Sequence, residues 1–121
     1  MKAKNVNIGI KSVEEALNDF VMTGEAIERG EKVIPLKGIY FTNLEAFRKV
    51  LTQKRLELLH IIKNEHPESI THLARLAGRD VTNVADDVKY LSEIGLLEMK
   101  KIKRAHILTV NYDTINLKIA V

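Results

Sequence analysis

Cysteine is absent from all 121 residues. That excludes disulfides, thiolate catalysis and cysteine-ligated zinc or iron–sulfur centres. Long apolar runs are missing too. None approaches the ~20 residues that span a bilayer, and the opening MKAKNVNIGI lacks the apolar stretch of a secretory signal. A cytoplasmic protein with no membrane partner is expected. Charge of one sign is also scarce. The formal net charge is +3, with eight basic and seven acidic side chains in residues 1–50 and eleven and nine in 51–121. Neither half is a basic tail, so any nucleic-acid footprint must come from local clustering. There is no internal repeat and no low-complexity segment.

Catalytic signatures are lacking as well. No Gly-rich phosphate loop, nucleophile motif or credible acid–base pair occurs. His60, His66, His72 and His106 include no pair at the i, i+4 spacing of a helical metal site. The reading is therefore not an enzyme, with no metal and no cofactor.

What is present is periodic. Val6, Ile8 and Ile10 alternate with Asn5, Asn7 and Gly9, which predicts a short strand. Ser12 and Glu15 form a capping box ahead of Val13, Ala16, Leu17, Phe20, Val21 and Ile27 at helical spacing, with Gly24 weakening that helix. Residues 31–38 look like a loop, and Ile39–Phe41 like a second strand. Thr42 or Asn43 can cap a helix over 44–50, and Thr52 the next. In that helix Leu56, Leu58, Leu59, Ile61 and Ile62 supply core, and Pro67 blocks its continuation.

The segment from Ser69 is the most informative. Ser69 caps a short helix containing Ile70, Leu73, Ala74 and Leu76, and Gly78 ends it. Asp80 then caps a helix whose apolar stripe is Val84, Val88, Leu91 and Ile94, and Gly95 stops that one. Two strands joined by the basic turn KKIKRAH follow, then a third alternating strand over Tyr112–Val121. Helix, glycine turn, helix and β-hairpin is the order of a winged helix-turn-helix. The expected fold is α+β: residues 1–43 form a strand–helix–strand extension and 44–121 the winged domain.

The stretches SITHLARLAGRDVTNVADDVKYLSEIGLLEM and LTQKRLELLHII resemble the MarR/ArsR-like winged-helix transcriptional regulators. More narrowly, the chain resembles a group of small DNA-binding regulators of bacteria and archaea. These share the opening strand, a SVEEAL-like helix and the L-T-x-K-R-L-E-L-L step. The group's R-D-x-x-N-V-x-x-D pattern is matched by Arg79, Asp80, Asn83, Val84 and Asp87. Ala85 and Asp86 depart from it, at places that usually hold His or another polar residue and Arg. The resemblance implies a cytoplasmic regulator, often dimeric, with some members acting as antitoxins beside a toxin gene.

On a helix that advances about 100° per residue, with Val84 at zero, Asp86 falls at roughly 200° and Asp87 at roughly 300°. Asp86 is then expected on the outward face. There it can accept from a cytosine amino group or pair with Lys89 or Tyr90. Asp87, at the edge of the packed face, needs a cation, and Arg55, Arg75 and Arg79 are candidates. The expected DNA contacts are Ser69, Arg79, Val81, Thr82, Asn83, Asp86 and Lys89, with Lys100, Lys101, Lys103 and Arg104 of the hairpin on phosphates. Arg79 is equally suited to a phosphate and to Asp87. The helix bearing Leu17, Phe20, Val21 and Ile27 suits a subunit interface or the chain's own core. The function expected is sequence-specific binding of double-stranded DNA by a homodimer. The helix over about 81–94 would enter the major groove and the wing over about 100–106 would lie on phosphates. The alternative is an antitoxin or other module whose partner is a protein, such as a toxin encoded nearby.

Overall fold

The alternating apolar residues near the start and end of the chain come together in one small sheet. In the computed structural model, which describes residues 4–30 and 38–121, strand β1 (Asn5–Ile10) is the centre of a three-stranded sheet. Helix α1 (Val13–Glu28) then leads to β2 (Ile39–Phe41), which pairs with β1 in parallel. Most of the loop expected over 31–38 lies outside the described residues. The Ser12 hydroxyl accepts from the Glu15 amide at 3.1 Å, as a capping box requires. The helix runs through Gly24 without a break.

The short helix α2 (Leu44–Val50) is capped by Asn43, whose side chain accepts from the Ala46 amide. Thr52 caps α3 (Gln53–Glu65) through the Arg55 amide. Helix α4 (Ile70–Ala77), capped by Ser69, and α5 (Val81–Ile94), capped by Asp80, are joined by Gly78, Arg79 and Asp80 alone. Gly78 sits at φ 65°, where a side chain would be strained. Its amide donates to Arg75 O and the Arg79 amide to Ala74 O at 3.0 Å, closing the end of α4. Strands β3 (Glu98–Ile102) and β4 (Ala105–Thr109) form an antiparallel hairpin. This is a winged helix-turn-helix with an N-terminal strand–helix–strand extension, in the α+β class.

The last strand, β5 (Thr114–Ile119), does not extend the hairpin. It pairs in parallel with β1 over six positions, from Asn5 opposite Thr114 to Ile10 opposite Ile119. Residues Val6, Ile8, Ile39, Phe41 and Ile115 of this sheet face the helices and join the core of Leu58, Ile62, Leu73, Val84, Val88, Leu91 and Leu96. Ile8 is fully buried there. On the opposite face Gly9 lies under the Tyr40 ring. A Cβ at Gly9 would come within 2.8 Å of it, so a side chain there would require the ring to move.

Two leucines expected in the core are not there. Leu56 and Leu76 are each 42% exposed. Both line an open groove between α3 and α4. Tyr112 makes the joint between wing and sheet. Its hydroxyl donates to Leu96 O at 2.7 Å, and burial pushes its pKa up to about 12.

Candidate nucleic-acid interface

Helix α5 divides into a packed and a free side. Val84, Val88 and Leu91 are fully buried against the core. Val81, Thr82, Asn83, Asp86, Lys89 and Glu93 are exposed. The Asp80 carboxylate accepts from the amides of Thr82 and Asn83 at 3.1 and 3.2 Å, which fixes the first turn of the helix. The outward face thus carries two carboxylates against one ammonium group. Asp86 has no side-chain partner among the described residues; neither Lys89 nor Tyr90 reaches it.

Asp87 belongs to the fold. Arg55 Nε donates to its Oδ1 at 3.0 Å and Arg79 Nη2 to its Oδ2 at 2.8 Å, with all three side chains only 15–21% exposed. Burial alone would raise its pKa, but the hydrogen bonds and charges of Arg79 and Arg55 outweigh that and hold it below the usual carboxylate range. Arg55 also donates through Nη1 to the carbonyls of Lys49 and Val50, at 3.1 and 2.8 Å, and lies 4.6 Å from the centre of the Tyr90 ring. One guanidinium therefore joins the end of α2, the start of α3 and the flank of α5. Arg75, the third candidate partner, is exposed and takes no part.

Two of the expected contact residues are committed internally. The Ser69 hydroxyl accepts from the His72 amide at 3.0 Å and caps α4. Arg79 is engaged with Asp87, and its Nη1 is buried with no partner among the described residues. The other α5 positions stand together on the free face.

The wing supplies the positive charge that α5 lacks. Lys100, Lys101, Lys103 and Arg104 are all exposed. They do not share one face, because side chains alternate along a strand. Lys101 lies opposite His106 on the side of Met99 and Leu108, whereas Lys100 lies opposite Ile107 on the other. Lys103 and Arg104 form the tip between the strands. Lys103 holds φ 57°, a left-handed conformation that usually selects glycine, asparagine or aspartate. Composition shows a basic turn here, but nothing in the sequence marks the backbone strain. Nor does any motif mark Tyr90, which is 39% exposed and stacked on Arg55 at the edge of the free face.

Among the described residues no cluster of His, Asp or Glu side chains can hold a metal ion, and no helix is long and apolar enough to cross a membrane.

No curated protein matches the chain. A solved structure, described as the predicted DNA-binding transcriptional regulator from E. coli, resembles it with a TM-score of 0.49 at 14% identity, over 77% of this chain and 84% of that one. That likeness is too loose to carry a statement about function. The model of the HVO_A0114 family matches residues 50–117, a span from the last residue of α2 into β5 that holds the helix-turn-helix and the wing. The chain belongs to the HVO_A0114 family.

Proposed function

We propose that the protein is a sequence-specific regulator of transcription that binds double-stranded DNA as a homodimer. The observation that carries this reading is the pairing of two surfaces. The face of α5 bearing Val81, Thr82, Asn83, Asp86 and Lys89 is free of the core, and the neighbouring wing holds Lys103 in a strained conformation at a basic tip. Backbone strain kept at an exposed position supports a functional demand for that side chain. In this reading α5 enters a major groove and Asp86 accepts from a cytosine amino group. Lys100, Lys101, Lys103 and Arg104 approach phosphates. Two half-sites would lie about 34–36 Å apart.

Residues 44–121 carry the DNA contacts and 1–43 joins subunits. That division is one of function, since β1 and β5 share a sheet. The protein acts in the cytoplasm as a regulator rather than an enzyme, in the manner of MarR/ArsR-like proteins. Gel retardation on the DNA upstream of its own gene, across a salt series, tests this. Specific retardation weakened by Lys89→Ala and Lys101→Ala supports it.

A second reading rests on the acidic outward face of α5, where Asp86 and Glu93 oppose phosphates. There the winged domain is an antitoxin-like module that binds a protein. Absence of retardation at low salt, with a tight complex formed with the product of a neighbouring gene, would favour it over the first.

A further inference from the structure

Helix α5 brings little electrostatic attraction of its own to DNA. Its outward face holds Asp86 and Glu93 against Lys89, so affinity for phosphates falls to the basic wing. Glu93 lies near the C-terminal end of α5. In a helix-turn-helix the N-terminal residues of the second helix meet the base edges, and Asp86 lies within that entering half. A carboxylate there is repelled by phosphates and is stabilised only by a donor on a base.

Two polar side chains of the entering half stand ready. Asn83 and Asp86 are exposed, and neither side chain has a hydrogen-bond partner among the described residues. The backbone beneath them is anchored. The Asp80 carboxylate accepts from the Asn83 amide at 3.2 Å. Val84 and Val88 are fully buried, and Asp87, next to Asp86, is held by Arg55 and Arg79 at 3.0 and 2.8 Å. With Val84 at zero, Asn83 falls at roughly 260° and Asp86 at roughly 200° around the helix. They are neighbours on one face. Along the axis they are about 4.5 Å apart, closer to one base-pair step of about 3.4 Å than to two.

The chemistry of each head group selects a base. A carboxylate only accepts. In the major groove guanine offers it two further acceptors, thymine offers one, and adenine sets N7 beside its amino group. Cytosine alone presents a donor, its N4 amino group, with no acceptor on the same edge. Discrimination at Asp86 therefore comes largely from repulsion by the wrong bases. The Asn83 amide carries both a donor and an acceptor, which match adenine N7 and N6 as a bidentate pair. Thr82, whose hydroxyl donates and accepts, tolerates either kind of edge.

We infer that α5 reads two neighbouring base pairs, an adenine through Asn83 and a cytosine through Asp86. These two residues set the sequence preference, and the wing sets the affinity. The inference rests on the proposed function and deepens it by naming the bases.

Selection of randomised duplexes by the protein, followed by sequencing, tests this. The expected half-site places an A·T pair beside a C·G pair at its most constrained positions. Asp86→Asn should change the cytosine to adenine and leave the neighbouring pair alone, because an amide matches adenine. Asn83→Ala should lose the preference at the A·T pair and keep the cytosine. Base analogues within the selected site then address single atoms. Replacing adenine by 7-deaza-adenine removes N7, and N4-methylcytosine puts a methyl group in the major groove in place of the donor hydrogen. Each should weaken the unmodified protein about tenfold or more. The first should leave Asn83→Ala unaffected, and the second Asp86→Ala. Three results overturn the inference: an Asp86→Asn protein that still selects cytosine, responding base pairs that are not adjacent, or analogues that weaken the unmodified protein and the matching alanine variant equally. Any of these, obtained with an unmodified protein that selects a defined site, removes this inference and leaves the proposed function standing. An unmodified protein that selects no sequence removes both.

Discussion

Arg79 lies in the turn between α4 and α5, and Asp87 lies in the middle of α5; their side chains meet at 2.8 Å. The bond fixes the turn against the helix it introduces, and Arg55 grips the other carboxylate oxygen from α3 at 3.0 Å. One carboxylate thus ties α5 to the turn before it and to α3, alongside the packing of Val84, Val88 and Leu91.

Asp87→Ala should lower stability by about 2–4 kcal/mol, because it leaves two largely buried guanidinium groups without their partner. Asp86→Ala, one residue away on the exposed face, should change it by less than ~0.5 kcal/mol. Thermal melts of both variants rank them, and the reverse order would show that the two carboxylates have been assigned the wrong roles.

The same cluster sets an acid limit. The folded-state pKa of Asp87 is depressed by its two arginines, so the unfolded chain takes up this proton first as pH falls. The stabilisation is complete above the unfolded value near ~4 and is lost as pH drops through the folded value. Urea midpoints between neutral pH and acid should fall more steeply for the native chain than for Asp87→Asn. Parallel curves would contradict the linkage.

Tyr112 sets a limit at the alkaline end. Its folded pKa of about 12 lies above the ordinary phenol value. The unfolded phenol ionises first, so stability is full below pH ~10 and declines toward the folded value. Tyr112→Phe should cost about 1–2 kcal/mol at neutral pH, since Leu96 O loses its donor. The variant should not share the alkaline decline.

Lys103→Gly should move two measurements in opposite directions. Glycine relieves the left-handed backbone and should raise stability by roughly 0.5–1 kcal/mol. It also removes a cation from the wing tip. If the wing meets phosphates, the slope of log affinity against log salt should shrink by about 1. A more stable protein with an unaltered salt slope would take Lys103 out of the DNA contact.

Asp86→Arg should raise affinity for unrelated DNA several-fold at low salt and flatten discrimination between sequences. Anisotropy titrations with specific and scrambled duplexes measure both. A variant that keeps its sequence preference would argue against base contact by Asp86.

The local parts of the fold were legible in the sequence because they are written locally. Ser12, Ser69, Asp80, Gly78 and Gly95 act on amides or carbonyls a few residues away, and each stands where a helix starts or stops. Helical phase alone separated Asp86 from Asp87. It narrowed the partners of Asp87 to three arginines, but choosing Arg55 and Arg79 over Arg75 required the crossing of α3 and α5. The apolar spacing of Leu56 and Leu76 predicted burial and missed their exposure, since periodicity marks a face and not what covers it. The strand at 114–119 was recognisable, whereas its partner was not, because no local signal joins Thr114 to Asn5.

That last pairing bears on how the molecule is made. The helix-turn-helix and wing can assemble from contacts between near neighbours in the chain, which form quickly. Pairing β1 with β5 joins positions 109 residues apart in sequence, the slowest kind of contact to establish. On the ribosome β1 is made before β5, and it must wait for that strand before Ile8 is enclosed. Helix α1, hung between β1 and β2, is therefore anchored only after β5 has been made, and in the proposed dimer assembly of two subunits through it would follow the folding of each winged domain rather than guide it.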